Sequence, residues 1–230
     1  MTQVEINAGT PPVPTSLDVF LKRLDGLVVF LAAAHEEVFE LIHDKELTWF
    51  PMSQNPVAPE TAKAYRHSIS NAAFLLGYAY LETFLADIAR QVYLRRPKML
   101  PEEKQLAYKD IVAAESSGEI LLLIVEKEIR SVFGGPIEDV QKHFERKLNI
   151  RWPNEPEIFT ASRMRNCLMH NGGVVDPRLA GAAPTYPLGT LIELEPDNVH
   201  GYGLVARRFA NGLWENAVRT HLRGDDSLTR

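Results

Sequence analysis

The chain has one cysteine, Cys167, in 230 residues, which excludes an internal disulfide and suits a reducing compartment. Long hydrophobic runs are lacking as well. The longest, Leu27 to Ala34 and Ile120 to Val125, fall short of the roughly 20 residues a membrane-spanning helix needs. Met1 to Thr15 has neither the basic nor the apolar region of a signal peptide. A soluble, cytoplasmic protein with no membrane association is expected. There is no basic excess either: 25 Lys and Arg stand against 30 Asp and Glu, a net charge of −5, which argues against indiscriminate nucleic-acid binding.

Lysine is absent from residues 151–230, whose nine basic side chains are all arginine and are balanced by nine acids. The acidic excess therefore lies entirely in residues 1–150, with 16 basic against 21 acidic side chains. Arginine's planar fork suits bidentate phosphate contact better than lysine does, so this asymmetry is either a phosphate-binding surface or compositional drift. No phosphate-cradling loop is present, because Val132-Phe133-Gly134-Gly135-Pro136 has no Gly-Lys-Ser/Thr ending. Metal-ligand spacing is missing too. His35-Glu36 opens like a His-Glu-x-x-His motif, but position 39 is Phe, so His35, Glu36, Glu40 and His43 read as solvated side chains. No metal and no other cofactor is expected.

What remains is ordinary globular composition, 45% hydrophobic and 24% charged, in a length that suits one sizeable domain. Residues 1–15 read as a flexible, polar arm and residues 16–230 as one mainly α-helical bundle. Helical spacing of Leu17, Phe20, Leu24, Leu27, Leu31 and Val38 predicts a helix from Ser16 to about Leu47. Trp49 to Pro59 is a loop, followed by the longest helix, about Glu60 to Arg95, with Phe74, Tyr78, Leu81, Leu85, Ile88 and Val92 as a continuous stripe. Further helices are expected at about Pro101–Ala114, Glu119–Phe133 and Pro136–Leu148. Ile120 to Val125 is β-branched enough to pass for a strand, but its charged flank Glu126-Lys127-Glu128 favours a buried helix. Val174 to Pro187 is an irregular connection, Thr190 to Leu194 a short strand as half of a hairpin near 187–200, and about Gly203 to Leu222 a final helix.

The densest chemistry lies in Arg163-Met164-Arg165-Asn166-Cys167-Leu168-Met169-His170-Asn171-Gly172-Gly173. Pro153 to Glu157 supplies a cap candidate, an early proline and acids for a helix start, and Asn-Gly-Gly after His170 a stop that tolerates positive φ. At about 100° per residue, Ile158, Ala161, Met164, Leu168 and Met169 form the apolar face, with Arg163, Asn166 and His170 opposite. Arg165 falls on the apolar face and either meets a carboxylate or stays half exposed at the edge of the core; of carboxylates, Glu82, on the flank of the long helix, is the first choice and Asp87 the second. Arg165 and His170 lie roughly 140° apart, so they meet on one substrate only across a groove or if the last turn unwinds. Cys167 reads as a semi-buried structural residue, because i,i+3 spacing to His170 on one helix is poor geometry for a thiol nucleophile.

Arg165-Asn166-x-x-x-His170-Asn171-Gly172 resembles the Arg-x4–6-His signature of HEPN domains. Phe74 to Leu85 resembles the long second helix of HEPN proteins of the RiboL-PSP type. The resemblance implies that Arg165 and His170 are catalytic in a metal-independent endoribonuclease, such as a toxin or phage-defence effector, with Asn166 as a supporting polar residue. It equally admits a non-catalytic HEPN dimerisation or interaction module, or a nucleotide-binding regulator. Glu82, Asn171 and Arg163 complete the candidate site. In metal-free RNA cleavage a base takes the 2′-hydroxyl proton, an acid protonates the leaving 5′-oxygen, and a cation stabilises the phosphorane. The motif has one histidine, so base and acid together require two copies of the chain. A two-fold homodimer is expected, with RNA as substrate and an antitoxin or other regulatory protein as a further partner.

Overall fold

The computed structural model describes residues 15–43, 59–102, 106 and 108–222. Among them are eight α-helices: α1 (Ser16–His43), α2 (Pro59–Arg95), α3 (Tyr108–Ala113), α4 (Ser117–Phe133), α5 (Ile137–Arg146), α6 (Glu157–His170), α7 (Pro177–Ala182) and α8 (Pro196–Ala217). The fold is mainly α, as the periodicity implies. Most of the arm expected over residues 1–15 and of the loop expected over Trp49–Pro59 lies outside the described residues, as do the expected continuation of α1 to Leu47 and the side chains of His35, Glu36, Glu40 and His43; Pro59 itself is the first residue of α2.

α2 is the hub, because its 37 residues carry apolar side chains on more than one face. Phe74, Tyr78, Leu81, Leu85, Ile88 and Val92 are all at most 2% exposed, and the helix packs against α1, α4, α6 and α8. Over Arg66–Arg95 it is long and apolar enough to cross a membrane, and half of its apolar window is buried inside the protein. α1 lays Phe20, Leu24, Leu27 and Leu31 on it. The crossing is close at Gly77, where a Cβ would lie 3.0 Å from Leu27 Cδ2 and 3.4 Å from Tyr202 Cε1. A Cβ there would make the Leu27 and Tyr202 side chains give by a few tenths of an ångström.

Local chemistry moves several helix ends from where periodicity alone puts them. α4 starts at Ser117 rather than Glu119, because Ser116 caps it, its Oγ accepting from Glu119 N at 3.2 Å, while the Glu119 carboxylate accepts from Glu115 N, one residue before the cap, at 2.7 Å. α4 is amphipathic and not buried all round, with Leu122 and Leu123 about two-fifths exposed. Of the expected Pro101–Ala114 helix, only Tyr108–Ala113 is helical among the described residues.

The hairpin near 187–200 is not formed. There is no strand among the described residues, only an isolated antiparallel bridge between Val174 and Leu191. The segment is held on two sides: backbone of residues 173–175 pairs with it, Val175 N donating to Thr190 O and Ile192 N to Gly173 O at 2.9 Å, and α2 side chains take the rest, Asn71 Nδ2 donating to Ile192 O (3.0 Å), Leu194 N donating to Asn71 Oδ1 (3.3 Å), and His67 Nδ1 lying 3.2 Å from Leu194 O. With its backbone groups shared between residues 173–175 and α2, the segment needs no partner strand from 195–200. The connection after α6 is likewise less irregular than its Gly and Pro suggest, since Asp176 caps the short α7 by accepting from Leu179 N at 2.8 Å. α8 begins at Pro196, seven residues before Gly203, because Glu195 and Asn198 cap each other and Pro196 stands at the first helical position.

Candidate functional site

α6 carries the motif, and its ends fall where the sequence puts them. At the C-terminus Asn171 N and Gly173 N both donate to Cys167 O at 3.0 Å, while Gly172 and Gly173 adopt φ of +60° and +81°. This wraps the last carbonyls in a glycine-dependent cap and leaves His170 and Asn171 exposed. Ile158, Ala161 and Met164 face the core as the helical arithmetic requires. Met169, assigned to the same face, is 54% exposed. The buried side of α6 turns along its length, so that the last turn buries Cys167 on the Asp176 segment and releases Met169. Cys167 is fully buried rather than semi-buried, and burial pushes its thiol up from the ordinary range.

Arg165 meets a carboxylate. Its Nη2 lies 3.7 Å from Glu82 Oε1, with the two side chains about one third exposed, and its Nη1 donates to Asn166 Oδ1 at 3.0 Å. At 3.7 Å the pair attracts without a direct hydrogen bond, so most of the five guanidinium donors stay uncommitted. Asp87, the second choice, instead pairs with Arg90, which also holds Glu126. Arg163 donates to Glu138 on α5 at 2.9 Å. Among the described residues His170 makes no hydrogen bond or ion pair.

Behind Arg165 lies a small polar cavity of about 30 Å³, lined in part by Tyr78, Glu82, Ser162 and Asn166. It has room for a water molecule. The Tyr78 phenol, hydrogen-bonded to Ser162, is pushed up to about 12 chiefly by burial, so it stays protonated as a fixed dipole near the guanidinium. The sequence did not single out Tyr78 or Ser162 for this role. Tyr78 reads as one more member of the apolar stripe, and Ser162 lies one turn before Arg165 on α6, the one signal available for it.

Glu82 is held above the ordinary carboxylate range by desolvation, which outweighs the opposing pull of Arg165. A raised carboxyl stabilises the fold while protonated, below the unfolded value of 4.5, and that contribution is lost as pH rises through the folded value. Glu82→Gln cannot titrate. It is expected to change stability by less than about 1 kcal/mol at pH 7, the scale of a half-exposed pair. Wild type should gain on the variant as pH falls through the window above 4.5. Urea titrations of both proteins at several pH values check this; a wild-type advantage that grows with pH would reverse the assignment.

Arg165, Asn166 and Glu82 thus meet in one place, Arg163 faces away toward α5, the Asn171 side chain turns back to the Cys167 thiol, and His170 projects alone from the helix end. His170 lines neither the small cavity nor the larger cleft on the α5 side. Among the described residues no three His, Cys, Asp or Glu side chains are grouped to hold a metal ion. Compared with known proteins, the chain matches no family model, no curated protein and no solved structure.

Proposed function

We propose that this chain is a HEPN-type, metal-independent endoribonuclease whose site is shared between two copies related by a two-fold axis. The observation that carries it is the pairing, on one helix, of an exposed His170 that has no partner among the described residues with an Arg165 most of whose guanidinium donors have none there either. An accessible imidazole nitrogen can take or give a proton at a substrate atom. A guanidinium with free donors suits the doubly charged phosphorane. One chain supplies one such histidine and holds it away from Arg165, so base and acid come from two chains, each Arg165 acting beside the other chain's His170.

Purified protein incubated with single-stranded RNA in excess EDTA is expected to cleave it, leaving a 2′,3′-cyclic phosphate and a 5′-hydroxyl, because the attacking oxygen belongs to the RNA. DNA of the same sequence lacks that oxygen and should remain intact. Products bearing a 3′-hydroxyl and a 5′-phosphate, or cleavage of the DNA, would rule the mechanism out.

The Arg165–Glu82 pair favours a second reading, a non-catalytic HEPN interaction module in which Arg165 only anchors α6 to α2. That reading calls for a dimer by light scattering with no RNA cleavage.

A further inference from the structure

On the α5 side of α6, next to the motif, lies a cleft of about 720 Å³ formed by α5, α6 and α7, within the range of ligand-binding sites. We propose that it holds the sugar–phosphate backbone of an RNA strand, one or more nucleotides from the reacting bond. This rests on the reading that the chain acts on RNA.

The charges around the cleft sum to zero, but they are not all paired. Three cations and three carboxylates line it, but most are already matched: Arg163 donates to Glu138 at 2.9 Å and Lys142 to Asp139 at 2.7 Å. The Asp176 carboxylate accepts from Leu179 N at 2.8 Å as the cap of α7. Arg178, which also lines the cleft, is exposed and has no partner among the described residues. It and Asp176 are the two lining charges without an ion-pair partner among the described residues, and Arg178 is the exposed one, free to meet a phosphate while the Asp176 carboxylate is turned to the α7 backbone. Asn166 lines both this cleft and the cavity behind Arg165, so a strand lying in the cleft runs directly to the motif.

The walls also limit which part of the strand they take. No aromatic ring lines the cleft, and its apolar members, including Pro136, Gly181 and Ala182, are small. Base stacking, the usual source of single-strand affinity, has no platform. Ribose and phosphate fit such walls better, with Glu138 and Asp139 placed to accept from a 2′-hydroxyl. Recognition of this kind is tolerant of sequence.

The test measures binding apart from turnover. A fluorescein-labelled 12-nucleotide single-stranded RNA of mixed sequence is titrated with the His170→Ala protein at several salt concentrations, alone and combined with Arg178→Glu. Lys22→Glu on α1 is the charge-matched control. Arg178 stands in the first turn of α7, where an acid is tolerated, and a thermal melt verifies the fold. Arg178→Glu is expected to weaken binding about 10-fold and to lower the salt dependence by roughly one phosphate contact, while Lys22→Glu leaves Kd within about 2-fold. Equal effects of the two substitutions, no effect of Arg178→Glu, or no RNA binding at all would overturn the cleft. Arg178-dependent binding by a protein that never cleaves RNA would keep the cleft and discard the nuclease. Cleavage with binding indifferent to Arg178 would do the reverse.

Discussion

His170→Ala is expected to lower RNA cleavage by about 10²-fold or more, the usual scale for loss of a general acid or base. The fold should be untouched, since the side chain is exposed and surface changes of this kind stay within about 0.5 kcal/mol. Arg165→Ala should also lower the rate, because the phosphorane loses its cation. The arrangement of the site gives the sharper reading. If each site needs both histidines, mixing His170→Ala chains with wild-type chains and letting dimers exchange should depress activity beyond dilution, since every mixed dimer is inactive. Activity that falls linearly with the wild-type fraction would place a complete site within one protomer and sink the two-fold mechanism. Light scattering on the same samples decides whether a dimer exists at all.

The helical class and the core were legible because apolar periodicity reports directly on which face is buried. The stripe of α2 and the first three turns of α6 follow it residue by residue. The Arg165–Glu82 contact was legible for a related reason: a guanidinium placed on an apolar face must be met by a carboxylate or stay half exposed, and Glu82 flanks the helix that α6 packs on. Legibility failed where side chains replaced part of a segment's backbone partners. Nothing in Thr190 to Leu194 announces that residues 173–175 and Asn71, some 120 residues earlier, will between them take up its backbone groups and make a hairpin unnecessary. It failed again at Met169, because one stripe assumed along a whole helix ignores that α6 is covered by different neighbours at its two ends. The partners of Arg163 and the cleft around Arg178 depend on how α5 and α7 dock, which no spacing within α6 encodes.

Trp152→Ala is expected to have the largest effect on stability. Trp152 sits in the connection between α5 and α6, 5% exposed, with its ring 5.6 Å from Phe144 and 4.8 Å from Phe209 in edge-to-face contacts. It therefore ties α5 and the entry to α6 onto α8. Pro153 continues the contact, lying 3.4 Å from where a Cβ on Gly212 would be. Removing the indole leaves a cavity among rigid rings that cannot close over it, at a cost of about 3–5 kcal/mol, or roughly 10 °C in melting temperature for a chain of this size. Trp152→Phe separates packing from hydrogen bonding. The indole Nε1 is buried and makes no hydrogen bond, so phenylalanine forfeits volume but no polar contact, and about 1–2 kcal/mol should be lost. Circular-dichroism melts of both variants test this. A Trp152→Phe protein as unstable as Trp152→Ala would mean that Nε1 has a partner after all, and a Trp152→Ala protein melting within about 3 °C of wild type would mean that this joint does not set the position of α6.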